Sequence, residues 1–366
     1  MNLSRLVLLD VEFILFAAAA TAKCPSIPGA EQLWSNASVH WVLIGEMHGS
    51  NETPDAFGNL VCDALAHKRQ VTVALERPTS EQAALDGILT NRNLGAAEKA
   101  LLAEPHWRSG MDGRASEAML RLLLNLRKLH ERYRGLQVAA FDAPYTGENP
   151  GARDQALGQA LLALGSARPR SLILVLTGNF HAMQSPQFGY DLAAMYLPPK
   201  ERMSLEVTDT GGEAWVTVDG ACGSSTVGVG TKGRTVPFGI FLDPALAPYG
   251  KVDGVLSLAV PLTSSPPAAG EPSPLPGRGD AGGGEPSSGG QGHPDRDRHH
   301  RGCDHYSCAF VDQEQVRRAR PGDAPDQEGQ AVVLRVEGAY WGGQQGGRGA
   351  YGVHHRGLGG GQTYAA

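Results

Sequence analysis

No apolar run in this chain reaches the roughly 20 residues that a membrane-spanning helix needs, so no transmembrane segment is expected in the mature protein. Positive charge is not in excess either. Lysine and arginine number 32 against 38 acidic residues, a net charge of −6, and the basic residues are scattered, which excludes a nucleic-acid surface. No serine or cysteine stands in the setting of an activated nucleophile, so water is the nucleophile expected of any hydrolytic chemistry. Apolar residues, by contrast, are plentiful. They make up 41% of the 366 residues, enough for a sizeable core.

The first residues read as a secretory signal over 1–22. Arg5 supplies a positive start, FILFAAAA an apolar centre, and Ala20, Thr21 and Ala22 a small-residue cleavage site. Asp10 and Glu12 are unusual so near that centre and fit the alternative, a buried first helix of the mature fold. Lys23 is too large for the position before a lipidated cysteine, so Cys24 is not read as a lipid anchor. Export to the periplasm or the medium places the chain in an oxidising compartment. There Cys24 and Cys222 are the expected disulfide partners, and Cys62, in an apolar helical stretch, is expected to remain a buried thiol.

Composition changes near residue 268, which sets the expected domain at 28–268 and a tail at 269–366. The tail holds nearly half of the 48 glycines and little apolar periodicity, the composition of a disordered segment. His299, His300, Cys303, His305 and Cys308 gather there, but their spacing fits no zinc finger or ribbon. Gly, Arg, Pro, Ala and His in this mixture also match GC-rich coding DNA read out of frame, so the tail is equally readable as a frameshift product without a selected function.

Within the domain, near-continuous apolar runs at 40–48, 70–76, 136–143 and 171–181 have the pattern of strands covered on both faces. Helix-like segments alternate with them at 53–67, 79–90, 115–134 and 149–165. Thr79 and Gln82 have capping-box spacing, and Asn149 with Pro150 reads as a helix start. The expected fold is therefore α/β, a mainly parallel central sheet flanked by helices. Segments 202–209, 214–220 and 252–260 are expected to add strands, antiparallel at one edge.

The four principal strands end alike: in Glu46 and His48, in Glu76, in Asp142 and in His181. Open α/β sheets gather ligands outside the carboxyl ends of their strands, so these residues are the candidate site. Period-two geometry puts Glu46 and His48 on one side of the first strand. Each has a structural alternative: Glu76 as a salt bridge to Arg77, Asp142 as a turn residue, His181 as a cap, Glu46 as an acceptor for loop N–H groups. Glu46, His48, Glu76 and His181 are taken as catalytic candidates, and Asp142 and Arg77 as substrate-binding ones. Pocket walls are expected from the helical insertion at 90–116, with His106, Trp107 and Arg108.

The motifs GEMH at 45–48, Glu76 in VALERP and GNFH at 178–181 resemble the superfamily that groups ChaN-like haem-uptake proteins, Tiki/TraB proteases and erythromycin esterases. The segments DGRASEAMLRLLLNLR and ENPGARDQALGQALLAL are similar to the ChaN-like branch, and the likeness spans about residues 38–268. The resemblance implies three chemistries. In the esterase branch a carboxylate and His48 activate water on an ester carbonyl, with His181 stabilising the oxyanion or protonating the leaving group. In the Tiki branch His48, Glu76 and His181 hold a divalent Zn, Mn or Co ion against a peptide. In the ChaN-like branch the protein binds haem without catalysis, with Tyr145, Met183, Tyr190 and Tyr196 as the nearest residues of ligating type. The expected partner is a small molecule or peptide.

Overall fold

A computed structural model describes residues 24–270 apart from 68, 110–111, 146–148, 150, 188, 219–220 and 228–234. The signal segment, Pro150, and the tail from 271 with its His and Cys residues lie outside the described residues. Among the described residues, nine strands are β1 Trp41–Glu46, β2 Val71–Pro78, β3 Leu136–Asp142, β4 Leu172–Gly178, β5 Arg202–Thr208, β6 Glu213–Val218, β7 Ala221–Thr226, β8 Gly239–Phe241 and β9 Gly254–Ser257. The α-helices are α1 Glu31–Ser35, α2 Glu52–Ala66, α3 Gln82–Thr90, α4 Leu94–Leu102, α5 Pro105–Ser109, α6 Glu117–Arg132, α7 Ala152–Ala167 and α8 Asn179–Ala182.

Seven strands form the central sheet in the order β3-β2-β4-β1-β5-β9-β8, and every neighbouring pair is parallel except β8 with β9. The reason the strand sequences lack alternation is visible in the packing. Val42 and Ile44 of β1, with Leu172, Leu174 and Leu176 of β4, join the core on one face with α2, α3 and α6. Trp41 and Leu43, with Ile173 and Val175, point to the other face and meet Leu157 and Leu161 of α7. Both faces are buried, so both phases of each strand are apolar. α6 shows the complementary period: Ala118, Met119, Leu122, Leu123 and Leu126 are buried, and the Ser116 side chain caps the helix by accepting from Met119 N.

The three additional strands are present, but their arrangement differs from expectation. β5 and β9 extend the parallel sheet, and only β8 at the edge runs antiparallel. The strand expected at 214–220 is β6, described to Val218, and it pairs outside the central sheet with β7 in a separate antiparallel hairpin. That hairpin is held from outside: Trp215 N and Ser265 N both donate to the carbonyl of Gly49 (2.9 and 2.8 Å), just after His48. The capping box at Thr79 is not formed. Residues Thr79–Glu81 make a 3-10 turn, and the Gln82 amide bridges to β3, accepting from Ala140 N at 2.8 Å and donating to Val138 O at 3.1 Å.

The disulfide also differs. Cys24 bonds to Cys62, not to Cys222, because α2 brings Cys62 to a Cα separation of 5.4 Å from Cys24. Cys222 lies on β7, where its sulfur is 3.2 Å from the Thr217 hydroxyl across the hairpin. The bond closes a loop with a sequence separation of 38, for which loss of denatured-state entropy predicts about 3 to 4 kcal/mol of stabilisation. Peptide mapping without reduction is expected to recover Cys24 linked to Cys62, and Cys62→Ser to lower the urea midpoint accordingly. A Cys24–Cys222 peptide would refute the pairing.

Candidate active site at the carboxyl edge of the sheet

β2, β4 and β1 lie side by side, so Glu76, the end of β4 and Glu46 meet at one edge. Register sets the details: Glu46 is opposite Gly178, and Leu75 is opposite Leu176, which brings Glu76 beside Thr177. β1 ends at Glu46, yet His48 folds back, and its Nδ1 lies 3.0 Å from Glu46 Oε1. The two glycines that precede the histidines make room for this. A Cβ at Gly45 would stand 2.9 Å from Asn179 Cα, where α8 crosses β1. A Cβ at Gly178 would stand 3.2 Å from His48 Nε2 and 3.5 Å from His181 Cδ2. The space over Gly178 is thus flanked by both imidazoles.

Glu76 is the centre. Its Oε2 accepts from Thr177 Oγ1 and Gly178 N, each at 2.7 Å. Its Oε1 accepts from Arg153 Nη2 at 2.7 Å and Arg114 Nη1 at 3.1 Å. A carboxylate has about four lone-pair sites, and these four bonds fill them. His48 Nε2 and His181 Nε2 each stand a further 3.7 Å away. Asp142, at the end of β3, shares the same guanidiniums: Arg114 Nη1 and Arg153 Nη2 each donate to its Oδ2 at 2.9 Å. Arg114 also bonds Asp112 through Nε at 2.7 Å and through Nη2. His181 Nδ1 lies 2.6 Å from Asp154 Oδ1, and its Nε2 lies 2.8 Å from Arg153 Nη1.

The titrations follow from these contacts. Burial opposes the charge of Glu76, but the guanidiniums of Arg153 and Arg114 and the imidazole of His48 overcome it and hold the carboxyl well below its usual range. Burial likewise opposes Asp112, and the Arg114 ion pair brings it down to about 2. Glu46 goes the other way. Burial raises it more than its bond to His48 lowers it, and its Oε2 is buried without a hydrogen-bond partner. Burial also works against a charged His48, but the bond to Glu46 and the charge of Glu76 prevail, so its pKa is raised above 6.5.

Glu46, His48, Glu76, His181 and Asp142 are therefore brought together, whereas Arg77 is not. Its side chain points to the opposite side of β2 from Glu76, is 2% exposed, and forms a double ion pair with Glu81 (both bonds 2.8 Å) over the ring of Trp107. Trp107 is itself fully buried and bonded to Glu81, so this part of the 90–116 insertion is core and not pocket wall. Arg77 reaches the site only indirectly, donating to the carbonyl of Arg114 at 2.8 Å.

Sequence reading missed Arg114, Arg153, Asp112 and Asp154, although the segments that hold them were marked for their family likeness. A physical signal was present. Arg153 sits in the first turn of α7, and Arg114 lies just before the Ser116 cap of α6. A cation at a helix N-terminus opposes the helix dipole, so each needs a tertiary reason to be there.

The donor set does not fit a divalent metal. The lone pairs of Glu76 are filled, Arg153 occupies the Nε2 side of His181, and an added dication would face two guanidiniums. Among the described residues no group of three or more His, Cys, Asp or Glu is disposed to hold a metal ion. Haem fares no better. Met183 is buried against Gly250, Tyr190 and Tyr196 pack on Gly151 and Gly158, and Tyr145 is half exposed, so these residues do not combine into an apolar slot with an axial ligand. Among the described residues no helix is long and apolar enough to cross a membrane.

Replacing Glu76 by Gln leaves two largely buried guanidiniums short of a counter-charge, a change that costs about 3 to 5 kcal/mol. Folded Glu76 titrates well below its ordinary 4.5, so its contribution is complete above that value and is lost as pH falls through the depressed one. Urea denaturation should show the full gap between wild type and Glu76→Gln at about pH 7 and a shrinking gap only in strong acid. A gap already closed near pH 5 would overturn the assignment.

No protein-family model and no curated protein matches this chain. Solved structures resemble it in backbone path. A succinoglycan biosynthesis protein is similar at 11% identity and a TM-score of 0.48, over 63% of this chain and 90% of that one. A Bacillus cereus protein is similar at 12% identity and 0.42, over 63% and 90%. An erythromycin esterase in its open conformation is similar at 12% and 0.41, over 52% and 76%. At such identities and scores the likeness carries no statement about activity.

Proposed function

We propose that this chain is an exported hydrolase of ester or peptide bonds that activates water with His48 and works without a metal. The observation that carries the reading is the state of His48. Its Nδ1 is committed to Glu46 at 3.0 Å, which leaves Nε2 facing Gly178 and Glu76 on a side chain that is 15% exposed, beside a pair of largely buried arginines. That is the arrangement of a general base next to groups that stabilise negative charge. Glu76 does not serve as the base, because its lone pairs are filled and its carboxyl is held ionised. It anchors the arginines and raises the basicity of His48. The Cys24–Cys62 disulfide supports an oxidising compartment and hence export.

On an ester the steps balance as follows. Water attacks the acyl carbon while its proton passes to His48 Nε2, and the carbonyl π pair moves onto the oxygen. On collapse the C–O bond to the alkoxide breaks, and the same proton passes from His48 to the leaving oxygen. Acid and alcohol are the products.

The test is hydrolysis of p-nitrophenyl acetate by the full chain in the presence of EDTA. The base must be unprotonated, and the pKa of His48 is raised, so the rate is expected to climb with pH through a titration above 6.5. His48→Ala should lower kcat by about 10²- to 10⁴-fold. Glu46→Gln replaces the carboxylate that raises His48 by a neutral acceptor and should shift the titration to lower pH. A Soret band on adding haem, without turnover, would favour a carrier and sink the hydrolase reading.

A further inference from the structure

We infer that Arg153 stabilises the oxyanion formed in this reaction, and that His181 and Asp154 position it instead of exchanging protons with the substrate. The inference rests on the hydrolase reading but assigns roles that the sequence did not suggest.

Proton placement around His181 comes first. Asp154 is buried at 4% exposure, and its Oδ1 already accepts from Ala193 N at 3.0 Å. An ionised carboxylate is acceptor-only, so the Nδ1 of His181, 2.6 Å away, is the donor. On the other side of the ring, Arg153 Nη1 stands 2.8 Å from Nε2. A guanidinium has only N–H groups to offer, and two N–H groups do not face each other at this distance. Nε2 therefore carries a lone pair and accepts from Arg153. Both ring nitrogens are committed, and no N–H of His181 is left for an oxyanion or a leaving group.

The same contacts place Arg153. It and Asp154 are adjacent in the first turn of α7 and grip the two nitrogens of one imidazole. Nη2 is tied to Glu76 and Asp142, so the guanidinium plane is held on two sides. Its bonds among the described residues run through Nη1 and Nη2, which leaves Nε–H and one Nη1–H to offer. Arg114 differs: Nε, Nη1 and Nη2 are all engaged, and its side chain is 8% exposed against 20% for Arg153. Arg153 is thus the more open cation, bonded to the His181 ring, whose Cδ2, like His48 Nε2, lies close to Gly178. Its charge is balanced by Glu76 and Asp142 in the resting site, so it is held in place before any oxyanion forms. Such preorganisation is what gives a fixed donor its effect on the chemical step.

The experiment uses the full chain and p-nitrophenyl acetate. Arg153→Met should lower kcat by about 10²- to 10³-fold with little change in KM. Arg153→Lys should recover part of the loss, and added guanidinium ion should partly rescue Arg153→Ala. His181→Gln keeps an acceptor for the same N–H, so it should lose about tenfold in kcat with an unaltered pH profile, whereas His181→Ala loses more. Circular dichroism melts establish that each variant is folded. A fold-independent readout comes from ¹⁵N spectra of the wild-type imidazoles. His181 should show a protonated Nδ1 and an unprotonated Nε2, the tautomer that its two partners dictate.

An active wild type with Arg153→Met undiminished overturns the oxyanion role. Loss of a limb from the pH profile in His181→Gln, or a protonated Nε2 in the spectra, overturns the positioning role. Absence of turnover in the wild type overturns the hydrolase reading and the oxyanion role with it, while the ¹⁵N spectra still decide the Asp154–His181–Arg153 arrangement.

Discussion

Moving a carboxylate out of water carries a penalty of several kcal/mol unless its lone pairs are met and its charge is opposed. Glu76 is 5% exposed and meets both conditions through four bonds, drawn from β4 and from two arginines elsewhere in the chain. Each of those donors belongs to an element that also carries another part of the site. Thr177 and Gly178 lead into His181, Arg153 precedes Asp154, and Arg114 follows Asp112. Satisfying one buried anion therefore aligns β2, β4, the start of α7 and the segment before α6. Through the shared guanidiniums it also captures the end of β3 at Asp142.

Two neighbours on β2 divide the support of this arrangement between them. Glu76 takes the guanidinium of Arg114, and Arg77, pointing to the other face, takes its carbonyl. Arg77 is in turn fixed by Glu81 and by the ring of Trp107. The strand alternation that separates residues 76 and 77 thus serves the site twice, once from within the pocket and once from the core beneath it.

The two glutamates show how environment separates like groups. Glu76 is surrounded by donors and stays ionised, whereas Glu46 is buried beside a single imidazole and is pushed up. A carboxylate held by fixed cations is a structural charge. One coupled to a histidine adjusts the basicity of that histidine. Pairs of titratable groups with divergent environments of this kind are a mark of acid–base sites.

Much of the fold was legible along the chain. Strands buried on both faces must be apolar in both phases, and helices packed on one side must repeat near 3.6, so β1 to β4, α2, α6 and α7 could be read from spacing alone. The polar ends Glu46, His48, Glu76, Asp142 and His181 could be read too, because a charged group that breaks a buried run is conspicuous locally. What spacing did not carry was partnership across the chain. That Cys62 and not Cys222 meets Cys24, and that Arg114 and Arg153 close on Glu76, are contacts between segments distant in sequence, and whether β6 joins the sheet or Arg77 faces the pocket is decided by the same packing. Local pattern records which side of an element faces the core. Which residue waits there depends on how helices and strands stack, and for buried charges that stacking is settled by the need to leave no ion without its counter-charge.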